Sequence, residues 1–84
     1  MQMKRNYTQP LFIRGNAYYK LNEYQKALTD FSRFAEITGE SNAFYNKGMC
    51  FKMLGQTQNA CEAWNKALEL GHKNAAKRIE ESCR

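Results

Sequence analysis

The sequence predicts an all-α chain, an αα-superhelix or solenoid of two helical hairpins followed by a C-terminal capping helix. Three observations carry this expectation. The 84 residues are 43% hydrophobic and 13% aromatic, enough for a core but only for one domain, since a chain of this size buries roughly 60% of its unfolded surface. One proline and five glycines are too few for a sandwich or barrel, which needs turn residues every ~8 to 12 positions. Above all, the sequence resembles itself after a shift of 33 positions, the mark of a repeat architecture.

At that offset Leu11 falls on Phe44, Arg14 on Lys47, Gly15 on Gly48, Tyr18 on Phe51, Leu21 on Leu54, Ala27 on Ala60, Phe31 on Trp64, Arg33 on Lys66 and Ile37 on Leu70. Size and polarity are kept at each pair. Within a unit the apolar residues recur at i, i+3 and i+4, as in Leu11, Gly15, Tyr18 and again in Phe44, Gly48, Phe51, which is the stripe of an amphipathic helix. Asn22-Glu23 and Gly55-Gln56 separate the two helices of each unit, and Asn and Gly tolerate the left-handed backbone that ends a helix. Gly15 and Gly48 stand mid-helix, where glycine costs ~1 kcal/mol relative to alanine. Their recurrence implies close approach by the second helix, with Ala27 or Ala60 as the facing residue. Gly71-His72 marks a further stop, and Asn74 can cap a last helix. The expected helices run from Gln9 to Leu21, Glu23 to Ile37, Ser41 to Leu54, Thr57 to Leu70 and Asn74 to Ser82.

The stretches Asn16-Ala17-Tyr18-Tyr19-Lys20-Leu21 and Ala43-Phe44-Tyr45-Asn46-Lys47-Gly48 resemble the consensus of the tetratricopeptide repeat family, and the likeness covers about Thr8 to His72. The segment from Ala63 to His72, which closes in Gly71-His72, is also similar to the Sel-type cousins of that family. The sequence departs from the pattern where Gly39 and His72 replace the closing proline and where Arg14 or Lys47 replaces the leucine before the mid-helix glycine. The resulting division is an N-terminal leader over 1–7, a first repeat over 8–40, a second over 41–73 and a capping helix over 74–84.

The resemblance implies an antiparallel hairpin stack in which first helices line a concave surface and second helices form the back. It further implies a non-catalytic module for protein–protein interaction. Charge sorts unevenly on that plan. The first helices hold Arg14, Lys20, Lys47 and Lys52 with no acid, whereas the second helices hold Glu23, Lys26, Asp30, Arg33 and Glu36, then Glu62, Lys66 and Glu69. Lys26 with Asp30 and Glu62 with Lys66 are i, i+4 pairs, worth ~0.2 to 0.5 kcal/mol each on a solvated back.

Positions that touch ligand in the family map to Gln9, Phe12, Asn16, Tyr19 and Lys20, and to Asn42, Tyr45, Asn46, Met49, Lys52 and Met53. Amides can bond a peptide backbone, aromatic and methionine side chains can bury an apolar anchor, and ammonium groups can hold a carboxylate. Tyr19, Tyr45, Met49 and Met53 have a second reading, as covers of the hairpin core. Part of the carboxylate clamp by which some family members grip the acidic tail of a heat-shock chaperone is matched. Asn16 and Asn46 stand at the clamp asparagines and Arg78 can stand in for the arginine, while Phe12 replaces the first lysine and the fourth position falls near Asn74 or Ala75.

The formal charge of +5 favours anionic partners without choosing among them. The leading expectation is a protein or peptide, acidic if the lysines select it, held in the groove of first helices. A structural piece that forms a homodimer or docks onto a larger assembly is the alternative, because two repeats are few for a solenoid. Nucleic-acid binding rests on charge alone and ranks below both. No apolar run approaches the ~18 residues of a membrane span, and Met1 to Thr8 lacks the apolar core of a signal peptide, so the expectation is a cytoplasmic chain without membrane contact.

Cys50, Cys61, His72 and Cys83 follow one another at intervals of eleven. Zinc ligation would require them to meet at one point, but the reversal at Gly71-His72 leaves His72 at a turn and both Cys61 and Cys83 about 16 Å from it along their helices. The same reversal sets Cys61 level with Cys83. Without an export signal free thiols are favoured, and a disulfide stapling the last helix is the alternative. Cys50 reads as a core residue in the place of Ala17. No nucleophile with a base, carboxylate pair or phosphate loop is visible, and neither catalysis nor a cofactor is expected. At the C-terminal end Ala75, Ala76 and Ile79 are expected to cover the second hairpin, leaving Lys77, Arg78, Glu80 and Glu81 polar. At the other end, the outer side of the first helix is expected to carry Pro10, Arg14, Ala17 and Leu21.

Overall fold

A computed structural model describes the backbone of residues 3–83 and the side chains of residues 9–83. It contains five α-helices, α1 (Met3–Lys20), α2 (Tyr24–Thr38), α3 (Ser41–Met53), α4 (Thr57–Glu69) and α5 (Asn74–Ser82). Each packs chiefly on its neighbour in sequence, α1 on α2, α2 on α3, α3 on α4 and α4 on α5, so the chain is an all-α stack of two hairpins and a last helix. No described helix is long and apolar enough to cross a membrane.

The turns repeat as closely as the helices. Asn22 and Gly55, 33 positions apart, both adopt left-handed backbone with φ of 64° and 79°. In each, the following N–H reaches back five residues: Glu23 donates to the Tyr18 carbonyl at 2.8 Å and Gln56 to the Phe51 carbonyl at 2.8 Å. These bonds satisfy carbonyls that the helix end would otherwise leave unpaired. A third such turn follows α4, where His72 N–H donates to the Ala67 carbonyl at 2.9 Å.

The mid-helix glycines mark where the helices of a hairpin touch. A Cβ placed on Gly15 would lie 2.8 Å from the Phe31 ring, and one on Gly48 would overlap the Trp64 indole. The nearest atoms belong to the aromatics one turn beyond Ala27 and Ala60. Phe31 and Trp64 are 1% and 0% exposed, and each centres a cluster. Phe31 packs with Ala27, Leu28 and Cys50, whereas Trp64 packs with Ala60, Ala67 and Ala75.

Three expectations are corrected here. The first helix starts at Met3, not Gln9, so the leader is helical from that point and Pro10 lies inside α1. Proline suits a first helical turn, which is why the sequence suggests a start beside it, but Met, Lys, Arg and Gln are strong helix formers and carry the helix upstream. Asp30 is not a solvated partner of Lys26. It is buried and takes two bonds from Arg14, Nε at 2.8 Å and Nη2 at 2.9 Å. Arg14 therefore turns along α2 rather than crossing the outer side of α1, because a buried carboxylate needs a full set of donors. Hydrogen bonding and charge from Asp30 raise the Arg14 pKa above its usual value.

Two substitutions test this packing. Gly48→Ala should destabilise the chain by about 1–3 kcal/mol in urea unfolding, overpacking at Trp64 outweighing the gain in helix propensity. A neutral or stabilising result would contradict the close approach. Arg14→Met should lower the Tm by stranding the Asp30 carboxylate, and the double variant Arg14→Met/Asp30→Leu should recover most of the loss. If the double variant is no better than the single, the carboxylate is not the source of the loss.

Candidate functional site

The concave side is built where α1, α3 and α5 converge. Asn16 and Tyr19 from α1, Tyr45, Asn46 and Met49 from α3 and Arg78 from α5 line one concavity of about 290 Å³, with Phe31 of α2 behind them. A second concavity of about 280 Å³ is lined by Tyr45, Asn74, Lys77, Arg78 and Glu81. Tyr45 and Arg78 form the wall between the two.

That wall is held from several sides. The Tyr45 ring stacks on His72 with centroids 4.3 Å apart and planes 8° from parallel. Its carbonyl accepts the Trp64 indole N–H at 3.2 Å, and its hydroxyl accepts the Arg78 Nε–H at 2.9 Å. Arg78 Nη1 also reaches Glu81 Oε1 at 3.5 Å. The Tyr45 bond holds the Arg78 pKa above its ordinary value, and burial pushes that of the Tyr19 phenol up. The first concavity has aromatic and thioether walls, two amides and a single cation.

Six of the sequence-derived groove residues, Asn16, Tyr19, Tyr45, Asn46, Met49 and Arg78, thus share one site. Phe12 does not join them. It turns inward, its ring 5.7 Å from that of Phe31 and 4.9 Å from that of Phe34, because two aromatic rings on α2 offer it contacts that water does not. Lys20, Asn42 and Lys52 are exposed and line neither concavity. Tyr19, Tyr45 and Met49 combine both readings, packing on the hairpin cores while facing the concavity; Met53 is exposed. The His72 stack and the Trp64 bond to Tyr45 are invisible to periodicity, since each joins residues from different helical registers.

Cys61 and Cys83 are joined as a disulfide with Cα atoms 5.8 Å apart, tying α4 to α5, the helix that carries Arg78. This corrects the expectation of free thiols at these two positions, and it follows from the antiparallel reversal that sets the two residues level. Cys50 remains a free, buried thiol, its pKa pushed up to about 12 by burial.

Sequence profiles of the tetratricopeptide repeat match residues 9–40 and 42–74. The chain therefore belongs to the tetratricopeptide repeat family, whose repeats mediate protein–protein interaction. The match to the second unit is to the tetratricopeptide repeat as well, so the Sel-type likeness rests on its closing residues alone. No curated protein matches the chain.

Alkylation at about pH 8 should label no cysteine in the native, unreduced chain and only Cys50 after denaturation without reductant, because the buried thiol carries little thiolate. Labelling of all three by intact mass would exclude the bridge. Reduction should lower stability by about 3 kcal/mol for a closed loop of this length, read as a shift in the urea midpoint.

Proposed function

We propose that the chain is a non-catalytic interaction module whose α1–α3–α5 concavity anchors an acidic, extended peptide. The observation that carries this is convergence. Asn16, Asn46 and Arg78, far apart in sequence, border one concavity with aromatic and thioether walls.

Each part has a chemical use. Asn16 and Asn46 present donors and acceptors suited to a peptide backbone. Arg78 spends its Nε–H on Tyr45 and keeps further N–H groups for a carboxylate, the strongest kind of hydrogen bond available to it. Tyr19, Tyr45 and Met49 supply the apolar wall for one anchoring side chain, and a space of about 290 Å³ suits such an anchor better than a whole helix. Among the described residues no acid lines this concavity, and Glu81, 3.5 Å from Arg78 Nη1, lines the adjoining one.

The test uses an acidic pentapeptide with one apolar residue, fluorescently labelled at its N-terminus, in two forms with a free or an amidated C-terminal carboxylate. The free form should bind more tightly. Arg78→Gln should weaken it at least about tenfold, ~1.4 kcal/mol, with an unchanged circular dichroism spectrum. Absence of binding by either form, or equal binding by wild type and Arg78→Gln, would refute the reading.

A further inference from the structure

Arg78, the single cation lining the first concavity, is carried by α5, a helix with little in its own sequence to sustain it. Its 9 residues fall short of the roughly 12–15 that an isolated helix needs in water. No side chain caps its N-terminus, no acid stands in its first turn and no base in its last. Lys77 and Arg78 instead lie towards its N-terminal end and Glu80 and Glu81 towards its C-terminal end, the order that the helix dipole opposes. Packing secures one end better than the other. At the start, the stack of His72 on Tyr45 and the fully buried Ala75 fix the turn and the first residues to the second hairpin. Beyond Ala75 the helix rests on Ile79 and Cys83, which are only partly buried against the Trp64 cluster.

The Cys61–Cys83 bridge closes that weaker end. Both cysteines are half-buried, whereas Cys50 is fully buried in a different cluster. A thiol from solution can therefore meet the bridge, and the third cysteine does not compete for either partner. The glycine–ring contacts that close the two hairpins involve no residue of α5, so its release leaves them folded.

We infer that the bridge is a redox gate on the concavity: oxidised, it holds Arg78 against Tyr45; reduced, it lets α5 unwind from its C-terminal end and withdraw Arg78 from the site. The inference rests on the reading of that concavity as a site for an acidic peptide. The co-reactant is a dithiol. One of its thiolates attacks a bridge sulfur and forms a mixed disulfide, the electron pair of the broken S–S bond leaving on the other cysteine, which takes up a proton. The second thiol of the dithiol then gives up its proton, attacks the mixed disulfide and frees the remaining cysteine. The bridge has gained two electrons and two protons, and the dithiol has closed to a cyclic disulfide. Exchange with an oxidised disulfide runs the same steps in reverse and restores the bridge.

The test compares the full chain oxidised, reduced with dithiothreitol, and as Cys61→Ser/Cys83→Ser, by peptide binding and by amide hydrogen exchange. Reduction should weaken binding of the free-carboxylate acidic peptide at least about tenfold, as when α5 is docked in about a tenth of the reduced molecules or fewer, and reoxidation should restore it. The amides of Arg78 to Cys83, among them the Cys83 N–H that donates to the Ile79 carbonyl at 2.7 Å, should lose protection while those of α1 to α4 keep theirs. The double variant should behave as the reduced chain with or without dithiothreitol. Equal binding by the oxidised and reduced chains, unchanged protection of α5 on reduction, or loss of protection throughout the chain would overturn the inference. If the oxidised chain fails to bind, the peptide reading falls and takes the gate with it, a result distinct from an oxidised chain that binds and a reduced chain that binds equally well.

Discussion

Within each hairpin the two helices meet where a glycine on the first admits an aromatic ring from the second, Gly15 to Phe31 and Gly48 to Trp64. Glycine weakens a helix by ~1 kcal/mol, but it permits a close approach that a methyl group at Gly48 would block. The ring so admitted is the largest side chain of its cluster, and burying a side chain of that size contributes about 1.5–3 kcal/mol. The left-handed turns at Asn22 and Gly55 bring the helices back at the separation this contact requires. Contact and turn recur together at the 33-residue offset, and α2 packs on α3 to join the two hairpins.

The groove inherits its rigidity from the same contacts. Trp64, seated against Gly48, turns its indole N–H to the Tyr45 carbonyl, and Tyr45 in turn holds Arg78 through its hydroxyl. A path of packing and hydrogen bonds thus runs from the core of the second hairpin to the cation at the edge of the concavity. The Cys61–Cys83 bridge fixes the helix at the end of that path. A guanidinium placed in advance loses less entropy on binding than a free lysine would, and the exposed Lys20 and Lys52 lack any such support.

Much of this was legible in the residues. The repeat offset predicts both hairpins, the glycine contacts and the turns, because each depends on residue size or backbone freedom at one position and its copy. The convergence of Asn16, Asn46 and Arg78 was legible through the family pattern rather than through spacing. What escaped depends on tertiary partners. Asp30 has the spacing of a surface i, i+4 pair, but Arg14 draws it into the hairpin. Phe12 occupies a groove register, yet Phe31 and Phe34 offer its ring a better environment. The helical leader overrides the proline signal because Pro10 forgoes one backbone bond without preventing the flanking residues from staying helical.

Residues of α1, α3 and α5 border one concavity, and the proposed binding requires that it be formed before the peptide arrives. Amide and side-chain NMR mapping during titration with the free-carboxylate acidic peptide tests it most directly. Shifts should be confined to Asn16, Asn46, Met49, the Tyr45 ring and the Arg78 Nε–H, with the Trp64 indole N–H keeping its protection from exchange. Shifts centred instead on Lys47, Glu62 and Lys66 of the α3–α4 groove, or loss of the Trp64 protection on binding, would contradict it.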